Sequence, residues 1–208
     1  MLVLHYTGMR SCEAALDRLC DPAAKVSAHY MIDEDGTIHA LVAEDRRAWH
    51  AGVCCWRGAR DVNGRSIGIE LVNPGHEFGY RPFADAQMEA LIDLCAGVLA
   101  RHPIQPRNVV GHSDVAPARK QDPGERFDWP RLAARGIGLW PGAAAPLEVA
   151  EGEVLTMLGA YGYDTGAADP ERRAAIAAFQ RHFRPTRVDG LADAETAGRL
   201  AALLRLAA

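Results

Sequence analysis

The stretch 111–124 constrains this chain more than any other. It places His112, Lys120 and Asp122 on one irregular loop, directly after the apolar pair Val109-Val110, which reads as a short buried strand. A histidine and a carboxylate are good ligands for a borderline cation such as zinc, and the lysine between them is a ready electrophile. Two protein ligands do not complete a site, so a third must arrive from elsewhere. The best candidate is His5, in the strand-like run Leu2-Val3-Leu4-His5-Tyr6-Thr7. His5, His112 and Asp122 would leave a fourth position open for water, as a catalytic zinc requires.

The bulk numbers narrow the field. A chain of 208 residues, 49% of them hydrophobic, can bury a real core in one or two domains. Its net charge of −4 argues against a nucleic-acid partner, which would call for a basic stripe. No apolar run approaches the roughly 20 residues of a membrane span. Met1 leads straight into the first strand, without a secretory signal. The five cysteines, an odd count without regular spacing, do not read as a disulfide framework. Cys95 reads as a small core residue, and the adjacent pair Cys54-Cys55 lacks the reach of a metal pair. A cytoplasmic location follows as the expectation. The cell envelope is the alternative if the N-terminus is incomplete.

Local signals order the chain. Ser11 caps a short helix that runs to Cys20 and stops at Asp21-Pro22. Segments 29–33 and 37–42 flank Asp35-Gly36, a strong hairpin signal. Residues 66–72 alternate, with Ile67, Ile69 and Leu71 on one face and Ser66, Gly68 and Glu70 on the other. The helix 85–101 carries a stripe of Met88, Leu91, Ile92, Cys95, Val98 and Leu99, and Pro103 ends it. Asp128-Trp129-Pro130 opens another helix, with Asp as cap and Pro in the first turn. Residues 138–146 read as a linker of Gly, Pro and Ala. Helical stretches follow at about 149–161, 169–182 and 193–206. The linker predicts that residues 1–142 stand as one domain and residues 143–208 as a linker plus helical domain.

Five segments resemble the zinc-dependent N-acetylmuramoyl-L-alanine amidases, whose fold is shared with peptidoglycan recognition proteins. They are His5-Tyr6-Thr7, Val26-Ser27-Ala28-His29-Tyr30, Arg47-Ala48-Trp49-His50-Ala51-Gly52, Ser66-Ile67-Gly68-Ile69-Glu70-Leu71 and the 111–124 loop, in the family's order. The resemblance implies an α/β fold, a mixed central β-sheet flanked by helices. Ala178-Phe179-Gln180 and Val188-Asp189-Gly190-Leu191 are similar to the small three-helix peptidoglycan-binding domain; an unrelated helical tail is the alternative. Ala118 stands where Gly is common in the loop, and Gln121 where Thr is common; Ala118 would stiffen a turn that Gly allows.

The resemblance also distributes roles. Zn2+, one per chain, would sit on His5, His112 and Asp122. Glu70 is a carboxylate inside an apolar strand, expensive unless paired. It is either an edge-strand Glu facing water or, as the family implies, the general base. Lys120 reads as a solvated lysine on spacing alone, and as the oxyanion donor by the resemblance. His29 and His50 take substrate-contact or ligand-supporting roles. Trp49 is a stacking surface or a core residue. Asn73 is a candidate amide-binding group in the rim loop 73–76. Asp114 braces the loop, and His39, His76, His102 and His182 are surface or structural. The implied activity is hydrolysis of the amide between N-acetylmuramic acid and L-alanine in peptidoglycan or muropeptide fragments, as in wall recycling. A non-catalytic peptidoglycan-binding protein is the alternative, disfavoured because no ligand is missing. A zinc protease lacks the H-E-x-x-H signature.

Overall fold

The computed structural model describes residues Met1–Ala208. Five strands, β1 (Leu2–Tyr6), β2 (Tyr30–Ile32), β3 (Ile38–Ala40), β4 (Ile67–Leu71) and β5 (Val109–Gly111), form one sheet in the order β3-β2-β4-β1-β5. β3 runs antiparallel to β2, closing the hairpin expected at Asp35-Gly36, where Gly36 takes φ +90°. The other pairings are parallel. The sheet is therefore mixed, as expected, with β1 and β4 in its interior.

Helices α1 (Cys12–Cys20), α2 (Gly75–Phe78), α3 (Asp85–Arg101), α4 (His112–Val115) and α5 (Trp129–Ala133) surround the sheet. The Ser11 side chain accepts from the Ala14 N–H and that of Asp128 from Arg131, so both expected caps form. Interior parallel strands are covered on both faces, and Leu2-Val3-Leu4 of β1 is accordingly a continuous apolar run. One face carries Leu2, Leu4, Ile67, Ile69 and Leu71, packed in a core with Met88, Leu91, Ile92, Cys95 and Val98 of α3. Each such aliphatic side chain contributes roughly 1.5–3 kcal/mol on burial. Leu99, expected in that stripe, is only partly buried.

The opposite face differs. Val3 and Val110 belong to a core of 19 buried residues that continues into α6 (Glu151–Tyr161), α7 (Asp169–Phe183) and α8 (Ala194–Leu206). Val154, Leu158, Ile176, Phe179 and Leu200 of those helices share it with Trp56, Val62 and Val115. Residues 138–146 carry no helix or strand, in keeping with the linker reading. The helices beyond them nevertheless pack as part of one core with the sheet. Residues 143–208 thus pack on the domain expected over residues 1–142, where they cover Val3, Trp56, Val110 and Val115. No helix is long and apolar enough to cross a membrane.

Candidate metal centre

Parallel pairing sets His5 of β1 beside Glu70 of β4, so both side chains leave the same sheet face. β5 ends at Gly111, and the chain turns at once into α4, whose first residue is His112. The loop then doubles back until the Ser113 N–H donates to the Asp122 carbonyl over 2.8 Å. Close return needs Gly111: a Cβ there would lie 2.7 Å from Pro123 Cδ. Ala118 avoids positive φ, so the alanine at this position imposes no backbone strain.

Three donor atoms converge. His5 Nδ1, His112 Nδ1 and Asp122 Oδ2 lie 3.0–3.1 Å from one another, and all three residues are buried. A tetrahedral ion with bonds of 2.0–2.1 Å would separate such atoms by about 3.3 Å, so the triangle has the right size. Protonation supplies a stricter test. His112 Nε2 donates to the Ala51 carbonyl over 3.0 Å, which leaves Nδ1 as a bare lone pair in the neutral ring.

A longer relay assigns His5. The Ser66 hydroxyl donates to the Val62 carbonyl over 2.6 Å, so toward His50 it can only accept. His50 Nε2–H therefore donates to Ser66 Oγ over 3.2 Å, and His50 Nδ1 accepts from His5 Nε2–H over 3.0 Å. His5 Nδ1 is thereby left without a proton. Burial lowers the His5 pKa to about 4, assisted by the neighbouring His112, and lowers that of His50 well below the usual imidazole range. Two imidazole lone pairs and a carboxylate oxygen facing one another repel unless a cation sits among them. The donor set fits zinc.

The cleft over this triangle has a volume of about 410 Å³. Glu70, Lys120, His50 and Trp49 line it. Glu70 Oε2 is buried without a hydrogen-bond partner, so the carboxylate does not face open water as an edge-strand residue would. Burial raises its pKa well above the usual carboxylate range, and nearby Asp122 adds to the rise while Lys120 opposes it. Trp49 is 53% exposed, with the Arg47 guanidinium 4.3 Å from its ring centroid, which removes the core alternative.

Two expected contacts move. Asn73 is buried, its amide nitrogen donating to the Arg81 carbonyl and its oxygen accepting from the Gly75 N–H. It holds the rim turn and does not line the cleft. His76 lines it instead, with Nδ1 beside Tyr6 Oη at 2.8 Å and Nε2 near Glu125 at 3.1 Å. The turn signal was legible, but which of its side chains faces inward depends on Gly75 at φ +66°, where a Cβ would meet the Tyr6 ring. His29 is likewise used up: Nδ1 accepts from the Gly68 N–H and Nε2 donates to the Arg46 carbonyl. It supports the floor under His50, one of its two expected roles, and does not reach the cleft. Sequence reasoning also passed over Ser66 as the end of the relay, Asn63, whose side-chain oxygen takes the N–H groups of His50 and Ala51, and Arg119, which grips the Ala51 carbonyl over 2.7 Å.

Three convergent donor atoms that could hold a metal ion, beside a buried, unpaired carboxylate on a mixed sheet, form a candidate hydrolase site. Comparison with known proteins narrows the class. The N-acetylmuramoyl-L-alanine amidase family model matches residues 1–125, and a peptidoglycan binding domain model matches residues 153–200. AmiD of Escherichia coli K12, an N-acetylmuramoyl-L-alanine amidase, is 42% identical over 98% of this chain and 82% of its own length. The solved complex of E. coli AmiD with the substrate anhydro-N-acetylmuramic acid-L-Ala-D-gamma-Glu-L-Lys superposes with a TM-score of 0.90, covering 99% of this chain and 88% of that one. AMPDH3 from Pseudomonas aeruginosa, 35% identical, superposes with a TM-score of 0.89 over 99% and 91% of the two chains. This chain belongs to the N-acetylmuramoyl-L-alanine amidase family.

Proposed function

We propose that the chain is a zinc-dependent hydrolase that cleaves the amide between N-acetylmuramic acid and the L-alanine of a stem peptide. One observation carries the reading: three potential ligand atoms converge beside the unpartnered Glu70 carboxylate in a single cleft. His5, His112 and Asp122 would hold the ion. When bound, zinc supplies an electrophilic centre that acidifies water and polarises the scissile carbonyl.

The chain's own residues do the rest. Glu70 takes a proton from the attacking water, for which a carboxylate held above its ordinary pKa is well matched, and returns it to the departing alanine nitrogen. Lys120 donates to the oxygen that gains negative charge as the carbonyl carbon becomes tetrahedral. His50 and Ser66 keep the His5 ring in the tautomer that points a lone pair inward. Trp49, exposed at the mouth, offers an aromatic face to a sugar or peptide. The complex of AmiD with an anhydro-muropeptide supports fragments of this kind as substrates, and the match over residues 153–200 supports wall binding by the bundle. The five free cysteines support a reducing compartment.

The test pairs metal content with turnover. Glu70→Gln is expected to cut release of peptide from an anhydro-muramoyl tripeptide by roughly 10²–10⁴-fold, read by mass spectrometry, with zinc per chain unchanged. Wild-type release should stop on chelation and return with zinc. Undiminished turnover in the variant would remove Glu70 from the chemistry. Metal-free protein that zinc cannot activate, yet still binds wall fragments, would make the chain a recognition module.

A further inference from the structure

We propose that Cys12, Asp33 and His39 form a second metal site, for zinc or a similar thiophilic divalent cation, that staples α1 to the β2–β3 hairpin. The three residues come from different elements. Cys12 is the first residue of α1, Asp33 directly follows β2, and His39 is the middle residue of β3. Their donor atoms all lie within 4.8 Å of one another. Cys12 Sγ is 3.7 Å from His39 Nε2. Sulfur and nitrogen bound to one tetrahedral zinc at 2.3 and 2.0–2.1 Å stand about 3.6 Å apart, so the spacing suits a shared ion. A thiol is a weak hydrogen-bond donor, and such a contact by itself holds little.

Two further features suit a site with water as the fourth ligand. Asp33 is fixed by its turn: Oδ1 accepts from the Glu34 N–H, and the backbone exchanges bonds with Thr37 and Gly36. One carboxylate oxygen can serve the turn while the other meets an ion. All three side chains are half-buried, which gives an ion both a route in and a partly desolvated seat. A thiolate, an imidazole and a carboxylate form a mixed set that favours zinc over magnesium or calcium. On binding, the Cys12 S–H bond breaks, its proton leaves to solvent and the sulfur lone pair binds the cation.

The fold shows what a staple would do. α1 buries a single side chain, Ala15, in a three-residue apolar cluster with Met31 and Val72. The same helix forms a wall of the cleft through Ala15, Arg18 and Leu19. Leu16, Leu19 and Cys12 pack only partly buried against that cluster, so a clamp at the N-terminal end would add to a modest apolar seat. The site is remote in role from the triangle at His5 and stands whether or not the proposed reaction does.

Cobalt distinguishes the two sites, because only a cysteine ligand gives intense near-ultraviolet thiolate-to-metal absorption, and the His5 triangle has none. The full chain, stripped by chelator under reducing conditions, is titrated with Co2+ and then, separately, loaded with Zn2+, desalted and analysed for metal. Wild type should develop the thiolate band and retain about two ions per chain. Cys12→Ser and His39→Ala should each lose the band and retain about one, while His112→Ala keeps the band. A wild-type spectrum without the band at a tenfold excess of Co2+ overturns the proposal. So does a band that survives in Cys12→Ser.

Discussion

Replacing Asp114 by Asn tests whether the sheet and the helical bundle are one cooperative body. Asp114 lies within α4, two residues after His112, and is 1% exposed. Its Oδ2 accepts from the Gly111 N–H and from His182 Nδ1, each over 2.7 Å, and its Oδ1 accepts from the Tyr163 hydroxyl over 2.6 Å. His182 is itself stacked between Trp129 and Phe183, with ring centroids 3.7 and 3.8 Å away. One carboxylate thus ties the candidate ligand loop to α7 through His182 and to the turn after α6 through Tyr163. An amide has a single acceptor oxygen. Its best placement keeps that oxygen on Gly111 and His182 and turns the NH₂ toward Tyr163, whose hydroxyl proton is then unpaired. Bonds to a charged group contribute about 1.5–3 kcal/mol and neutral ones about 0.5–1.5, and a buried orphan costs about 1–3. Two weakened bonds plus one orphan come to roughly 3–5 kcal/mol, the range found when one partner of a buried ionic network is removed. At about 2–4 °C per kcal/mol for a chain of this size, Tm should fall by roughly 6–20 °C. Scanning calorimetry of the metal-loaded protein should show one transition in both proteins. A fall below about 2 °C, or two transitions of which only one moves, would refute the shared body.

Two further perturbations probe the ligand relay and a surface cluster. Gly68→Ala would place a Cβ 2.5 Å from the His50 ring, so that ring must shift and release its hold on His5; metal affinity, measured by competition with a chromophoric chelator, should fall about 10–100-fold while the fold is kept. Glu44 is held at a pKa of about 2, chiefly by its hydrogen bonds from Arg101, with Tyr30 and His102 adding to the effect against the cost of burial. Since that lies below an unfolded value of about 4.3, the stabilisation is complete above roughly pH 5 and drains away as pH falls toward 2. Glu44→Gln should therefore lower Tm at pH 7 by the equivalent of about 2 kcal/mol, by distinctly less near pH 2.5, and make little difference only about a unit below that; a loss that does not change with pH would reject the ionic cause.

The candidate ligands were legible because their chemistry is concentrated. His112 and Asp122 share one loop, and His5 stands in an apolar strand where an imidazole needs a reason to be. Glu70 was legible for the same cause, since a carboxylate among Ile67, Ile69 and Leu71 must be paired or used. The relay was not. Ser66, His50 and His5 come from three segments, and the assignment of their protons rests on distances of 2.6–3.2 Å that no spacing rule contains. Gly68 leaves space that the His50 ring fills, which no spacing rule contains. The misplacement of Asn73 has a similar origin. A turn signal identifies residues 73–76 as a rim, but an Asn that caps its own turn and an Asn that faces a ligand look alike in sequence.

The bundle poses the harder case, because composition marks a linker before it but not the surface on which it packs. Gly, Pro and Ala between positions 138 and 146 do free the chain from regular structure. What composition omits is where the next helix lands. Alternation in β1 and β5 requires Val3 and Val110 to be covered on the face that also carries His5, and neither α3 nor α5 lies there. α7 supplies Ile176 and Phe179 to that face, and Tyr163 and His182 then reach the one buried carboxylate beside the His112 ligand. An ion-binding loop with a buried charge next to its ligand cannot be left half-satisfied without losing its geometry. The bundle therefore has two parts to play from one position: a wall-binding candidate on its outer surface, and on its inner surface the donors that hold α4, and with it His112, in place.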